Sequence, residues 1–481
     1  MAKAEMLASD FFEISTGEQQ FLTPEQAFHY QIIPKLIGKH QLAFYVDELH
    51  YRLDLIDELE LVFGLPVELE KAESAKIQRT LTRYYRRKKD QPKQELTFNY
   101  REEKDFLRNL IREAHELGSS DIHLEPYEDK CRIRIRIDGK LVERYEIPMV
   151  DYPPVVNKIK IQSHLDIAEK RLPQDGRIEF REDQMKFDIR VSVLPTLHGE
   201  KVVMRLLSRD AMQIELSKLG FSDHDLHTFK EAIRKPHGVV LISGPTGSGK
   251  TTTLYATLKL LNEETRNIIT IEDPIEYTLE GINQVQLKES IGLDFATAMR
   301  TFLRQDPDVI MLGEIRDKDT AQMAIRAALT GHLVFSTIHT NSAWGTVTRL
   351  IDMGVPPFLI ANTLNLSAAQ RLVRTLCPHC KQEEEVRPSE FPSGFRPLRP
   401  LHTHYVPIGC DNCYYTGYQG RKAIYELIPI DQELAEAIKN DLAFIDDKLA
   451  DRGIKKLSER AFELLEAGET SLEEVFSLLM D

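Results

Sequence analysis

Tryptophan occurs once and cysteine five times in the 481 residues of this chain, and no apolar run approaches the ~18–20 residues that a membrane span requires. The opening MAKAEMLASDFFEIS has no charged-then-apolar segment of the kind that directs secretion. Five cysteines exclude a disulfide scaffold, and 24 glycines with 23 prolines exclude collagen-like or low-complexity architecture. A basic excess is missing as well: 62 Lys and Arg stand against 76 Asp and Glu, a formal charge of −14 that argues against a general nucleic-acid coat. What remains, 42% hydrophobic and 29% charged residues, is the composition of a soluble globular protein. About three domains are expected at this length, in a chain that stays in the cytoplasm.

The first module, 1–88, reads as small and mostly helical. Leu53, Ile56, Leu59 and Phe63 recur at helical spacing, and Gly64 followed by Pro66 supplies a stop. Its end carries the basic run Arg83-Tyr84-Tyr85-Arg86-Arg87-Lys88-Lys89, a solvated helix end or a contact for anionic lipid or protein. A polar linker follows at 89–96. In the second module, 97–213, Cys131, Ile133, Ile135 and Ile137 alternate with Arg132, Arg134 and Arg136, and Asp138-Gly139 offers a tight turn, so a hairpin with one apolar face is expected. Further strands at Lys186–Val193 and Lys201–Leu207 make this an α+β sheet domain.

From 217 to 481 strands and helices alternate, with apolar strands at Val239–Ile242, Ile268–Ile271, Val309–Leu312 and Leu333–Thr337 and helices between them. That order predicts a mostly parallel sheet covered by helices on both faces. A cysteine-bearing insertion lies at about 376–420, and the end of the chain is helical.

Gly244-Pro245-Thr246-Gly247-Ser248-Gly249-Lys250-Thr251 fills the pattern G-x-x-x-x-G-K-[ST] between an apolar strand and a helix that Thr252 continues. Glycines let the backbone curl so that N–H groups point at phosphate oxygens, helped by the positive end of the helix. Lys250 brings charge to the β- and γ-phosphates, and the Thr251 hydroxyl can ligate Mg²⁺. Val309–Leu312 is followed by Gly313 and Glu314, which puts a carboxylate at a strand end beside that loop, and Ile268–Ile271 ends in Glu272-Asp273-Pro274-Ile275-Glu276. Strand ends often carry acids, but these two fall in the order that a nucleotide-binding sheet needs. His332 and His339 bracket another apolar strand; each is a structural group or a sensor of the γ-phosphate.

Cys377-Pro-His-Cys380 and Cys410-Asp-Asn-Cys413 are two C-x-x-C knuckles, the spacing of a closed, structural Zn²⁺ site of four thiolates. Arginines can stabilise the charge that builds on a cleaved phosphate. Arg190, Arg205, Arg300 and Arg304 are candidates that sequence alone does not separate from other arginines.

Gly244–Thr251, Glu272–Glu276, Leu303–Asp308 through Gly313–Asp317, and Thr330–His332 through His339-Thr340 resemble the secretion ATPases of the type II/type IV pilus superfamily, where such segments are the Walker A, Asp box, Walker B and His box. The GspE-type ATPases of type II secretion share most, including Ser119–Pro126, Asp166–Arg177 and the cysteines. The resemblance implies a RecA-like P-loop ATPase domain preceded by an α+β (PAS-like) sheet domain, a small helical N-terminal domain and a zinc-binding insertion. It implies an ATP hydrolase, a homo-hexamer peripheral on the cytoplasmic face of the inner membrane, powering pseudopilus assembly. The N-terminal domain would dock on the cytoplasmic part of an inner-membrane secretion protein, near a membrane platform protein, with no nucleic-acid partner. By position Glu276 would polarise the attacking water, Glu314 would hold Mg²⁺ through water, His332 and His339 would contact the phosphate region, and Arg190, Arg205, Arg300 and Arg304 would sense charge. Absence of Arg-Leu-Gly motifs departs from relatives that bind a cyclic dinucleotide. The alternatives are a type IV pilus assembly ATPase, a retraction motor (which the cysteines and the extra N-terminal domain disfavour), a RecA-like DNA translocase and a nucleotide-binding protein without turnover.

Overall fold

The computed structural model describes residues 11–12, 14, 16–38, 41–52, 54–85, 106–182, 185–207, 215–386, 391, 399–440 and 445–480. The expected linker 89–96 and residues 86–89 of the basic run lie outside the described residues. The chain forms two compact units, one of Met1–Thr97, His379–Gly417 and Ser471–Asp481, the other of Phe98–Pro378 and Tyr418–Thr470. Among the described residues no helix is long and apolar enough to cross a membrane.

The first module carries helices, as its sequence leads one to expect, and also a sheet that its sequence does not announce. Helices α1 (Thr16–Phe21), α2 (Pro24–Tyr30), α3 (Asp54–Phe63) and α4 (Ser74–Tyr84) accompany a three-stranded sheet of β1 (Ile32–Ile37), β2 (Leu42–Asp47) and β3 (Val67–Ala72). β1 and β2 pair antiparallel, β2 and β3 parallel. Of the residues read at helical spacing, Ile56, Leu59 and Phe63 lie on α3, where Leu59 is buried together with Leu55, and Leu53 lies outside the described residues. The runs IIPKLI and LAFYVD are six residues each, a length at which periodicity cannot separate strand from buried helix. Their β-branched and aromatic residues, with Ile32, Ile33, Phe44 and Val46 fully buried, suit a sheet.

In the second module α5 (Phe106–Glu116) precedes β4 (Asp121–Pro126), β5 (Lys130–Ile137) and β6 (Lys140–Pro148), and α6 (Tyr152–Gln162) precedes β7 (Gln174–Glu182), β8 (Met185–Thr196) and β9 (Gly199–Leu207). The strands form one antiparallel sheet in the order β6-β5-β4-β9-β8-β7. Cys131, Ile133 and Ile135 are buried in one core with Leu110 and Ile111 of α5 and Ile159 of α6. Burial of each such aliphatic side chain contributes about 2 kcal/mol. Asp138 and Gly139 both take positive φ, 48° and 84°, which gives the β5–β6 hairpin the turn whose twist matches its strands.

The third module opens with α7 (Asp223–Ile233) and β10 (Gly238–Ser243). Then come α8 (Lys250–Leu261), β11 (Ile268–Glu272), β12 (Asn283–Gln286), α9 (Phe295–Phe302), β13 (Val309–Leu312), α10 (Lys318–Leu329) and β14 (Leu333–Ile338). α11 (Ala343–Asp352), α12 (Pro357–Thr363) and β15 (Leu364–Leu376) follow, then the short strands β16 (Gln382–Glu385) and β17 (Thr403–Val406) and the long β18 (Tyr418–Pro429). The sheet runs β12-β11-β13-β14-β10-β15-β18 and is parallel except for the β15–β18 pair. β10, β11, β13 and β14 are buried at every position, as expected for strands covered on both faces. The cysteine insertion is the long connection between the paired strands β15 and β18.

Candidate active site

The carboxyl ends of β10, β11, β13 and β14 deliver the 244–251 loop, Glu272–Glu276, Glu314 and His339 to one edge of the sheet, where open α/β sheets bind ligands. They line a cleft of ≈ 890 Å³ whose other wall includes Ser120, Leu206 and Leu207 of the second module. Two glycines of the loop are required by space. A Cβ on Gly244 (φ 147°) would lie 2.5 Å from the Gln370 carbonyl oxygen, and one on Gly249 (φ 88°) would lie 2.8 Å from Gln370 Nε2. Gly249 leads directly into α8, so the N–H groups of that helix's first turn face the cleft mouth.

Lys250 is 9% exposed, and its Nζ donates to the carbonyl oxygens of Gly244 (2.7 Å) and Pro245 (3.1 Å). Burial, and secondarily the Arg371 guanidinium, brings its ammonium down to about 8. The Ser248 hydroxyl is buried without a hydrogen-bond partner among the described residues. An anion that accepts from Ser248 and Lys250 would satisfy both, so the loop fits a phosphate group.

Glu314 sits between two side chains, ion-paired to Arg316 and 3.1 Å from His339 Nε2. Burial, then Lys250 and Arg316, pushes the His339 imidazole below its usual value, so it is neutral near pH 7. Glu276 is met from the second module: Arg190 Nη1 donates to its Oε2 at 3.1 Å, and Nη2 donates to the Ile275 carbonyl.

The other predicted sensors lie elsewhere in the chain's own fold. His332 precedes β14, and its Nδ1 lies 2.9 Å from the Ala327 carbonyl oxygen and 3.1 Å from Thr330 Oγ1, at the end of α10. A six-residue strand is ~20 Å long, so two histidines that bracket it cannot share one phosphate. Arg205, outward on β9, pairs with its cross-strand neighbour Asp121 at 2.9 Å. Arg300 donates to Thr297 Oγ1 (3.1 Å) and Arg304 to the Arg300 carbonyl (2.7 Å). Both close α9 just before β13, and residues that enter a strand lie at its amino end, away from the cleft. Of the four arginines, Arg190 alone reaches the Asp box within the chain.

Sequence reasoning missed a buried network beneath that box. The Tyr255 hydroxyl of α8 donates to Glu272, which also accepts from Thr270 Oγ1 (2.6 Å) and Gln284 Nε2 (3.1 Å). It also missed Gln370 and Arg371 on β15, which back the phosphate loop. The apolar character of Leu364–Leu376 was the available signal, but it names no partner.

Cys377, Cys380, Cys410 and Cys413 bring their thiol sulfurs within 4.8 Å of one another. Backbone N–H groups of Gly409, Cys410 and Gly417 point at the sulfurs of Cys380 and Cys413 at 3.2–3.3 Å. Four thiols with N–H donors around them suit a closed tetrahedral thiolate site.

The family model for type II/IV secretion system proteins matches residues 101–477. The chain is 44% identical over 448 residues to the type IV pilus assembly ATPase PilB of Myxococcus xanthus, covering 87% of this chain and 79% of that protein. It is 50% identical over 337 residues to type II secretion system protein E of Pseudomonas aeruginosa, covering 70% and 67%. Among solved structures it is similar to the pilus retraction motor PilT with bound ADP, at 26% identity and a TM-score of 0.53 over 77% of this chain and 96% of that one.

Proposed function

The chain belongs to the type II/IV secretion system protein family and is an ATP-hydrolysing secretion enzyme, and from that premise we propose that it powers assembly of a pseudopilus and protein export by type II secretion. ATP occupies the cleft with its triphosphate on the 244–251 loop, where Lys250 exchanges the Gly244 and Pro245 carbonyls for phosphate oxygens. Glu276 orients the attacking water. Thr251 and Glu314 would hold Mg²⁺, the latter through water, and the ion neutralises phosphate charge when bound.

The observation that carries this reading is the contact of Arg190 with Glu276 and Ile275, which joins the second module to the acid of the Asp box. Negative charge on the γ-phosphate competes with Glu276 for that guanidinium and draws the two lobes together; loss of phosphate lets them part. Arg190→Ala is expected to keep ATP binding, to lose about a hundredfold or more in turnover, and to abolish the ATP-induced change in distance between dyes on the two lobes. Turnover and distance change at parental levels would overturn the clamp.

In this reading six chains form a ring on the cytoplasmic face of the inner membrane, with the first module docked on an inner-membrane secretion protein beside the platform, and no nucleic acid involved. Arg205, Arg300 and Arg304 remain charge sensors only for a neighbouring subunit. Assembly of a type IV pilus is the second reading, favoured by the longer match to the Myxococcus relative. Capture of the full chain by secretion or by pilus membrane proteins separates the two.

Cys377, Cys380, Cys410 and Cys413 would hold one Zn²⁺ that closes the β15–β18 connection. One zinc per chain is expected by elemental analysis, with Cys410→Ser losing metal and thermal stability. Metal-free protein of unchanged stability rejects the site.

A further inference from the structure

Glu276 lies on the connection that follows β11, and such a segment needs support to keep a carboxylate aimed at a water molecule. On its outer side Arg190 supplies a contact, but from another lobe. On its inner side lies the network beneath the Asp box. Tyr255 and Glu272 are 2% and 3% exposed. The Tyr255 hydroxyl donates to Glu272 Oε2 and faces the Glu276 N–H, which donates to it at 3.4 Å. Glu272 Oε1 accepts from Thr270 Oγ1 and Gln284 Nε2, so both carboxylate oxygens are hydrogen-bonded. The Tyr277 ring stands edge-on to that of Tyr255, with centroids 4.5 Å apart.

We propose that Tyr255 and Glu272 form a strut between the phosphate-loop helix and the Asp box, and that both are positioning residues which set the place of Glu276 for ATP hydrolysis. The inference rests on Glu276 as the acid that orients water. Its physical basis is that Tyr255 stands on α8, the helix that begins at Lys250, so one rigid element fixes both the phosphates and the height of the acid. Burial, then the Glu272 carboxylate, pushes the Tyr255 hydroxyl well above its ordinary value and keeps it a proton donor. Glu272 opens the acidic segment at the cleft, but its two carboxylate oxygens already accept from Tyr255, Thr270 and Gln284, so the role assigned to it is to hold the strut in place.

The test is steady-state and single-turnover hydrolysis by full-length protein, with binding of a fluorescent ATP analogue measured alongside. Tyr255→Phe is expected to lower kcat about tenfold while KM and analogue affinity change less than about twofold, because a misplaced acid affects the transition state and not bound ATP. Thr270→Val, which keeps the shape of the side chain, is expected to lower kcat about twofold to threefold in the same way. In a Glu276→Gln background Tyr255→Phe is expected to add no further loss, since the group it positions is already gone. Unchanged kcat in Tyr255→Phe beside an inactive Glu276→Gln overturns the strut alone. So does a parallel loss of binding and turnover, or a loss that multiplies in the double variant. Full turnover in Glu276→Gln overturns the water-orienting role and the strut with it.

Discussion

Lys250→Ala is expected to reduce ATP turnover at least about a thousandfold, with a large loss of nucleotide affinity. Lys250 is held in a dry position by two loop carbonyls, and its ammonium stands at about 8 chiefly because burial opposes the charge. Phosphate oxygens replace that penalty with a direct ionic partner, so the energy stored in an unfavourable buried charge becomes binding energy for the triphosphate. The sign of the pH dependence follows. Because the folded value lies below the unfolded one, burial of the charge destabilises the nucleotide-free protein fully below about pH 8 and progressively less as pH rises towards the unfolded value. ATP favours the protonated form, so binding above about pH 8 takes up a proton and affinity falls as pH rises further. Calorimetry of ATP binding in buffers of different ionisation enthalpy reads the proton directly. Near-normal hydrolysis by Lys250→Ala, or binding independent of pH between 7 and 9.5, would contradict this account.

Glu276→Gln should bind ATP and leave it uncleaved, with turnover down about a thousandfold. The amide is nearly isosteric, so the cleft keeps its shape. It cannot accept a proton from water, and it no longer forms a full ion pair with Arg190 at 3.1 Å. With the guanidinium released from its carboxylate, the variant is expected to hold ATP at least as tightly as the parent, a split between binding and chemistry that a general loss of fold does not give. Equilibrium binding and single-turnover cleavage on the same preparation measure both halves. Parental cleavage removes Glu276 from the reaction; lost binding means that the change acted on the fold.

The phosphate loop, the acids at the ends of β11 and β13 and the cysteine pairs were legible because each is encoded within a few consecutive residues. A turn that needs glycine at 244 and 249, a carboxylate one or two steps past an apolar strand, and two C-x-x-C knuckles each carry their chemistry in local spacing. The alternation of Cys131, Ile133 and Ile135 with arginines fixed a strand and its buried face for the same reason. In the first module the helix that carries Ile56, Leu59 and Phe63 was legible, but the sheet was not, because six-residue apolar runs do not discriminate strand from helix and the pairing of β1 with β2 is not a local property.

Side chains that act across segments belong wholly to the tertiary structure. In the sequence His332 and His339 are equivalent, as are Arg190, Arg205, Arg300 and Arg304. Strand direction puts His339 at the cleft and His332 at the far end of β14, and the packing of the two modules brings Arg190 to Glu276. Tyr255 and Glu272, 17 residues apart, meet only because α8 lies against the sheet. Backbone conformation answers to neighbours along the chain, whereas the distance between two distant side chains is fixed by how the elements bury their apolar faces. Amino-acid order therefore determined the chemistry this protein carries, and packing alone decided which groups face each other.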